Sequence, residues 1–151
     1  MDKTSLAELI RSFDGETEIK DGKQFTEVNV PSANLHKLAK QLCENENTKF
    51  DFLFCLTGVD YGKELGVVYH LRSTEYNHSI VLKTRTNDRE RPVLDSVYDI
   101  WKTAEFHERE VFDLLGIKFK GHPDLRRLFL ESSWGYPLRK DYVDDINIVT
   151  K

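Results

Sequence analysis

The chain is poor in the residues on which most small-protein chemistry depends. It has two cysteines, four prolines, one methionine and five histidines in 151 residues. Cys43 and Cys55 make no CxxC pair, and two thiolates alone cannot hold an iron–sulfur cluster that needs four ligands. A reducing compartment would leave them as free, buried thiols. Basic residues do not outnumber acids: 22 Lys and Arg stand against 26 Asp and Glu, for a net charge of −4. That balance argues against binding nucleic acid by phosphate neutralisation. The longest strongly apolar run, Phe52 to Leu56, is far too short to span a bilayer as a helix. The first residues, MDKTSLAELIRSF, are amphipathic and lack the apolar core of a secretion signal, so a cytoplasmic location, or the cytoplasmic side of something larger, is expected. Gly58, Gly62 and Gly66 are spaced by four, which fits neither GxGxxG nor a phosphate-binding P-loop. No serine sits in a GxSxG elbow.

What is present suits one folded domain. Hydrophobic residues make up 39% and charged residues 32%. A chain of this size buries roughly 70% of the surface its unfolded form exposes, so neither metal nor disulfide is needed to stabilise it. Leu6, Leu9 and Ile10 at helical spacing predict a short helix over 4–12. Thr17–Lys20 and Gln24–Val30 flank Asp21-Gly22, the signal of a tight hairpin. Ser32 is read as an N-cap, followed by a helix with Leu35, Leu38, Ala39 and Leu42 on one stripe.

Three strands are then expected, over Phe50–Val59, Leu65–Arg72 and Ser79–Thr86, joined by short turns and therefore antiparallel. The first, nearly all apolar at its centre, is expected deep in the core. Val93–Trp101 reads as a short helix and Thr103–Leu115 as a stronger one. The fold class expected is α+β: an antiparallel sheet of about four to five strands, helices packed on one face, and an extended C-terminal arm. The division expected is a domain over 1–116 and an arm over 117–151. Part of that arm is expected to fray without a partner.

The densest segment is Glu105–Arg127, EFHEREVFDLLGIKFKGHPDLRR. Glu105, Arg109 and Asp113 fall at i, i+4, i+8, one face of a helix, where acid–base neighbours form ion pairs. Gly116 supplies the residue that ends the helix. His107-Glu108 begins like a zinc-binding HExxH helix, but the second histidine would be at 111, which is Val111. His107 with Glu110 and His122 is the one constellation with the chemistry of an acid–base or metal-assisted hydrolase. After Pro123 and Asp124 turn the chain, Arg126 and Arg127 have two readings. One folds back onto Glu108, Glu110 or Asp113 as an internal ion pair, or they reach a carboxylate of another chain. Trp134-Gly135-Tyr136-Pro137-Leu138 likewise suits an arm laying rings either into a partner groove or onto its own domain.

Glu108-Arg109-Glu110-Val111-Phe112-Asp113-Leu114-Leu115-Gly116-Ile117, then Gly121-His122-Pro123-Asp124-Leu125-Arg126-Arg127, closely resembles the signature of the C-type subunit of proton-pumping NADH–quinone oxidoreductase, the 30 kDa subunit family of respiratory complex I. Pro137-Leu138-Arg139-Lys140-Asp141-Tyr142 matches the family's usual ending. The ordered match covers roughly residues 95–142, about a third of the chain.

The resemblance implies a structural subunit of the peripheral arm with no catalytic, cofactor-binding or metal-binding residue of its own. NADH, FMN, iron–sulfur clusters and quinone would all lie on partner subunits. The partners implied are the large quinone-site subunit (D type) and the terminal iron–sulfur subunit (B type). In some members the D-type subunit is fused just after a segment like Arg139–Tyr142. The resemblance carries an interface role to Glu108, Arg109, Glu110, Asp113, His122, Asp124, Arg126 and Arg127, and marks Arg139, Lys140 and Asp141 as signature residues. The location implied is peripheral, on the cytoplasmic side of the membrane. Related scaffold subunits occur in membrane-bound [NiFe] hydrogenases and ferredoxin-dependent complexes, which is the alternative assembly.

Overall fold

The structure, a computed structural model, describes residues 3–131 and 133–142. Alternation of apolar and polar side chains produces β4 (Leu65–Ser73) and β5 (His78–Thr86). They pair antiparallel from Leu65↔Thr86 to Ser73↔His78. β3 (Phe52–Asp60) pairs antiparallel on the other side of β4. β1 (Glu18–Asp21) and β2 (Thr26–Asn29) form the expected hairpin. The five strands are ordered β1-β2-β5-β4-β3.

The sheet is mixed, not purely antiparallel. β2 runs parallel to β5, from Thr26↔Ile80 to Asn29↔Lys83. Short turns between consecutive strands could not reveal this pairing, because it joins strands separated by a long crossover. The hairpin also differs from expectation. Gly22 does not take a positive φ; residues 22–25 form the connection, with the Gly22 N–H donating to the Phe25 carbonyl at 3.0 Å.

β3 is an edge strand and not the deepest one. Phe52 and Phe54 are 44% and 39% exposed. A bulge between Leu53 and Cys55 inserts one extra residue. It leaves Phe54 stacked beside Phe52 on the outer face while Leu56 returns to the core, the usual consequence of two residues opposing one.

The helices are α1 (Lys3–Phe13), α2 (Leu35–Glu44) and α3 (Ala104–Leu115). The predicted stripe Leu35, Leu38, Ala39 and Leu42 is buried. Ser32 is not the N-cap of α2: a 3-10 turn over Ser32–Asn34 precedes it, and Asn34 occupies that position without a side-chain cap bond. Val93–Trp101 is not a helix. Val93–Asp95 forms β6, parallel to β7 (Lys118–Lys120), and turns follow to Trp101. Ser96 and Val97 bond to the Glu108 carboxylate, which holds this stretch out of helical geometry.

The inward row of β4 and β5 (Val67, Tyr69, Leu71, Ile80, Leu82) shares one core with Ile10, Leu38 and Val111 of the helices. Ile117 and Phe119, the first apolar residues after Gly116, belong to the same core. α3 lies directly on β3. A Cβ at Gly58 would stand 2.4 Å from Leu115 Cδ1 and 2.9 Å from Val111 Cγ1, so only glycine permits this approach.

Candidate functional site

The charged face of α3 is read, turn by turn, by the segment that follows Gly121. Glu105, Arg109 and Asp113 lie one above another, as their spacing requires. His122, Asp124 and Arg127 meet them in the same order.

At the first level the His122 side chain is buried. Its Nε2 donates to the Glu105 carbonyl at 3.0 Å and its Nδ1 accepts the Asp124 N–H at 3.0 Å. That bonding pattern assigns the neutral imidazole with the proton on Nε2. Beside it, Glu108 is fully buried. It accepts from Ser96 Oγ at 2.5 Å and from the Val97 N–H at 3.0 Å, with His122 Nε2 4.0 Å away. Burial pushes the Glu108 carboxyl up to about 7, against the opposing effect of the Ser96 and Val97 bonds.

At the second level Arg109 is 5% exposed. Nη2 pairs with Glu105 Oε1 at 3.2 Å and Asp124 Oδ2 at 2.9 Å, and Nε donates to the Asp124 carbonyl at 2.8 Å.

At the third level Asp113 is fully buried. Arg127 Nε approaches Oδ1 to 2.7 Å, and Oδ2 accepts the N–H groups of Phe129 at 2.8 Å and Leu130 at 3.2 Å. Burial raises its proton affinity, but the Phe129 N–H, Arg127 and the Leu130 N–H outweigh it and hold Asp113 below the usual carboxylate range. Arg127 also donates to the carbonyls of Glu131, Trp134 and Gly135.

The chain is then pinned to the end of α3. Gly116 takes φ 77° and bonds to Phe112, the left-handed cap expected of it. Arg139 Nε donates to the Leu115 carbonyl at 2.7 Å, and the Leu138 N–H to Leu114 at 3.0 Å. The Arg127 and Arg139 guanidiniums both approach the Tyr136 ring, 5.3 and 5.0 Å from its centre. Asp60, at the end of β3, accepts two bonds from Arg89, at 2.6 and 3.0 Å, and one from the Lys140 N–H at 2.8 Å. Arg89 pairs with Asp141 as well, at 3.3 Å.

The structure thus selects among the sequence readings. The expected Glu105–Arg109 pair forms, whereas Asp113 takes Arg127. The arginine that folds back is Arg127. Arg126 has a side chain 69% exposed, paired with the exposed Asp124 at 3.2 Å. Glu110 and Lys140 are exposed. Glu108, Arg109, Asp113 and the His122 side chain make contacts within the chain. The trio His107, Glu110 and His122 makes no metal-holding group: among the described residues no three His, Cys, Asp or Glu side chains are placed to hold an ion. Both His122 nitrogens are already committed to backbone groups. Ser96, Asp60 and Arg89 escaped the sequence reading, as did the packing role of Gly58. Asp60 and Arg89 meet across a wide separation of the chain, and no local spacing marks such a pair.

The family model described as "Respiratory-chain NADH dehydrogenase, 30 Kd subunit" matches residues 28–145. The chain belongs to this family. It is 54% identical over 122 residues to the fused C/D subunit of NADH-quinone oxidoreductase from Phocaeicola vulgatus, covering 80% of this chain and 23% of that one. It is 48% identical over 102 residues to the C-type subunit of NADH-quinone oxidoreductase from Chloroherpeton thalassium, covering 66% and 42%. The chain therefore spans less than half the length of these relatives. A solved structure of the membrane-bound sulfane sulfur reductase, an archaeal respiratory membrane complex, contains a similar chain: TM-score 0.74 and 26% identity, over 95% of this chain and 86% of that one. Among the described residues, no helix is long and apolar enough to cross a membrane.

Proposed function

We propose that this 30 kDa-family chain is a cofactor-free structural subunit in the peripheral arm of a proton-translocating NADH–quinone oxidoreductase. In this reading it supports electron transfer from NADH to quinone by docking on the D-type quinone-site subunit and the B-type iron–sulfur subunit, on the cytoplasmic side of the membrane. The observation that carries it is the family match together with the fused C/D relatives, in which the stretch similar to this chain is joined to a much longer remainder. Two surfaces made from one polypeptide in those relatives are natural neighbours when the pieces are separate chains.

The geometry adds a division of labour. Arg127, Asp113, Arg109, Glu108 and His122 hold the segment after α3 in place. The exposed members, Arg126, Glu110 and Lys140, are left to meet a partner. The test is co-purification. A tagged chain is expected to bring down D-type and B-type subunits, Arg126→Ala to weaken that recovery without lowering the melting temperature, and a tag that never recovers either subunit overturns the reading.

The likeness to the sulfane sulfur reductase chain favours a second reading, the same scaffold role in a related membrane complex with another electron donor, such as a [NiFe] hydrogenase or ferredoxin-dependent assembly. The partner recovered by the tagged chain distinguishes the two.

A further inference from the structure

Phe129 is the most exposed large apolar side chain among the described residues, at 73%. Its backbone is nonetheless bonded to a buried side chain. The Phe129 and Leu130 N–H groups both bond to the buried Asp113 carboxylate, and Arg127 ties that carboxylate to the carbonyls on the far side of the loop. Leu138, 58% exposed, is fixed to the adjacent residue of α3 through the Leu114 carbonyl. Two large apolar side chains therefore stand in solvent at the last turn of α3, on backbone that folding has already ordered. Exposed charges of both signs flank them along the chain, Arg126 and Lys140 with Glu131 and Asp141.

An exposed phenyl ring is unfavourable in water. Pinning its backbone removes the ordering cost that an interface would otherwise meet on binding. Aromatic anchors entering apolar pockets, within a polar rim, are what dominate protein interfaces.

We propose that Phe129, with Leu138 held at the same end of α3, is the anchor of the docking surface, and that it enters an apolar pocket with a mixed-charge rim on the D-type subunit. This rests on the docking reading above. The occupant follows from the C/D relatives, in which a D-type portion belongs to the same polypeptide. Asp113 and Arg127 are positioning residues for the anchor and make no contact with the partner.

The test measures dissociation of the full-length chain from the D-type subunit, and separately from the B-type subunit, for the parent, Phe129→Ala, Phe129→Leu and Arg126→Ala. Phe129→Ala is expected to release the D-type subunit at least tenfold faster, with an unchanged melting temperature. Phe129→Leu should retain most of the binding, and Arg126→Ala should act chiefly on the association rate and its salt dependence. Parent-like binding by Phe129→Ala overturns the anchor while leaving docking intact. So does a fall in melting temperature, which would make the ring a core contact, or a loss confined to the B-type subunit. A parent chain that binds neither subunit overturns the docking reading itself.

Discussion

Arg127 forms an ion pair with the fully buried Asp113 and meets both its side chain and its backbone. The guanidinium Nε meets Oδ1 at 2.7 Å while Nη2 donates to the Asp113 backbone carbonyl at 2.8 Å. The carboxylate's other oxygen holds the loop at Phe129 and Leu130. One pair thus closes the last turn of α3 and fixes the path of everything after it.

Arg127→Ala leaves that carboxylate buried without its cation, which costs about 3 kcal/mol. In a chain of this length the loss corresponds to a fall in melting temperature of about 10 °C. Arg126→Ala, at a side chain 69% exposed, is expected to change stability by less than about 0.5 kcal/mol. Thermal unfolding of the two variants side by side checks the contrast, and equal losses would contradict the assignment of Arg127 as the inward arginine.

Glu108 makes stability depend on pH in an unusual direction. Its proton is held more tightly in the folded chain, up to about 7, than in the unfolded chain, at 4.5. Between those values the folded state binds the extra proton, so this group's contribution is full below 4.5 and is lost as pH rises through about 7. The full swing is about 3 kcal/mol. Glu108→Gln should remove this component and be more stable than the parent at pH 8. Denaturant unfolding from pH 5 to pH 8 measures it, and an unchanged slope in the variant would show that the carboxyl ionises freely.

Gly58→Ala forces a methyl group to within 2.4 Å of Leu115 Cδ1 and 2.9 Å of Val111 Cγ1. α3 must lift from β3, at an expected cost of about 1–3 kcal/mol. The same substitution at Gly15, where an added Cβ meets nothing within 4 Å, should cost far less. Chemical denaturation of both variants compares a close helix–strand approach with an open site.

Asp60 joins the sheet to the chain's later segment. Hydrogen bonding from Arg89, ahead of the opposing effect of burial, holds its carboxyl far below the usual range. Its contribution is therefore present above the ordinary carboxylate pKa and lost only in strong acid. Asp60→Asn weakens the hold on Arg89 and on the Lys140 N–H. Amide exchange should become at least tenfold faster at Lys140 while Phe129 and Leu130, bonded to Asp113, keep their protection. Uniformly fast exchange from 128 to 142 in the parent chain would overturn both anchor points.

Local patterns are enough wherever one element satisfies itself. The stripe of α2, the alternation of β4 and β5, and Gly116 as the stop of α3 are all written at short spacing, and the structure reproduces them. The three-level face of α3 is legible in the same way, because i, i+4, i+8 places Glu105, Arg109 and Asp113 in line whatever surrounds them. Val93–Trp101 reads as a helix and is not one, because its helical propensity is overridden by Glu108, a partner more than ten residues away. The apolar run in β3 suggests depth, but composition does not reveal which strand ends at an edge, nor that a bulge would turn Phe54 outward.

By itself the sequence determined the three helices α1, α2 and α3, the strands β1 to β5, the α+β class, the family signature and the charge sequence along α3. Those depend on backbone propensity and on spacings of a few residues. Only the tertiary structure decided the parallel β2–β5 pairing, the inward turn of Glu108, the choice of Arg127 over Arg126, and the bonding of Arg89 to Asp60. Each of these is a contact between distant points of the chain, where burial and hydrogen-bond geometry choose between side chains that are identical on paper.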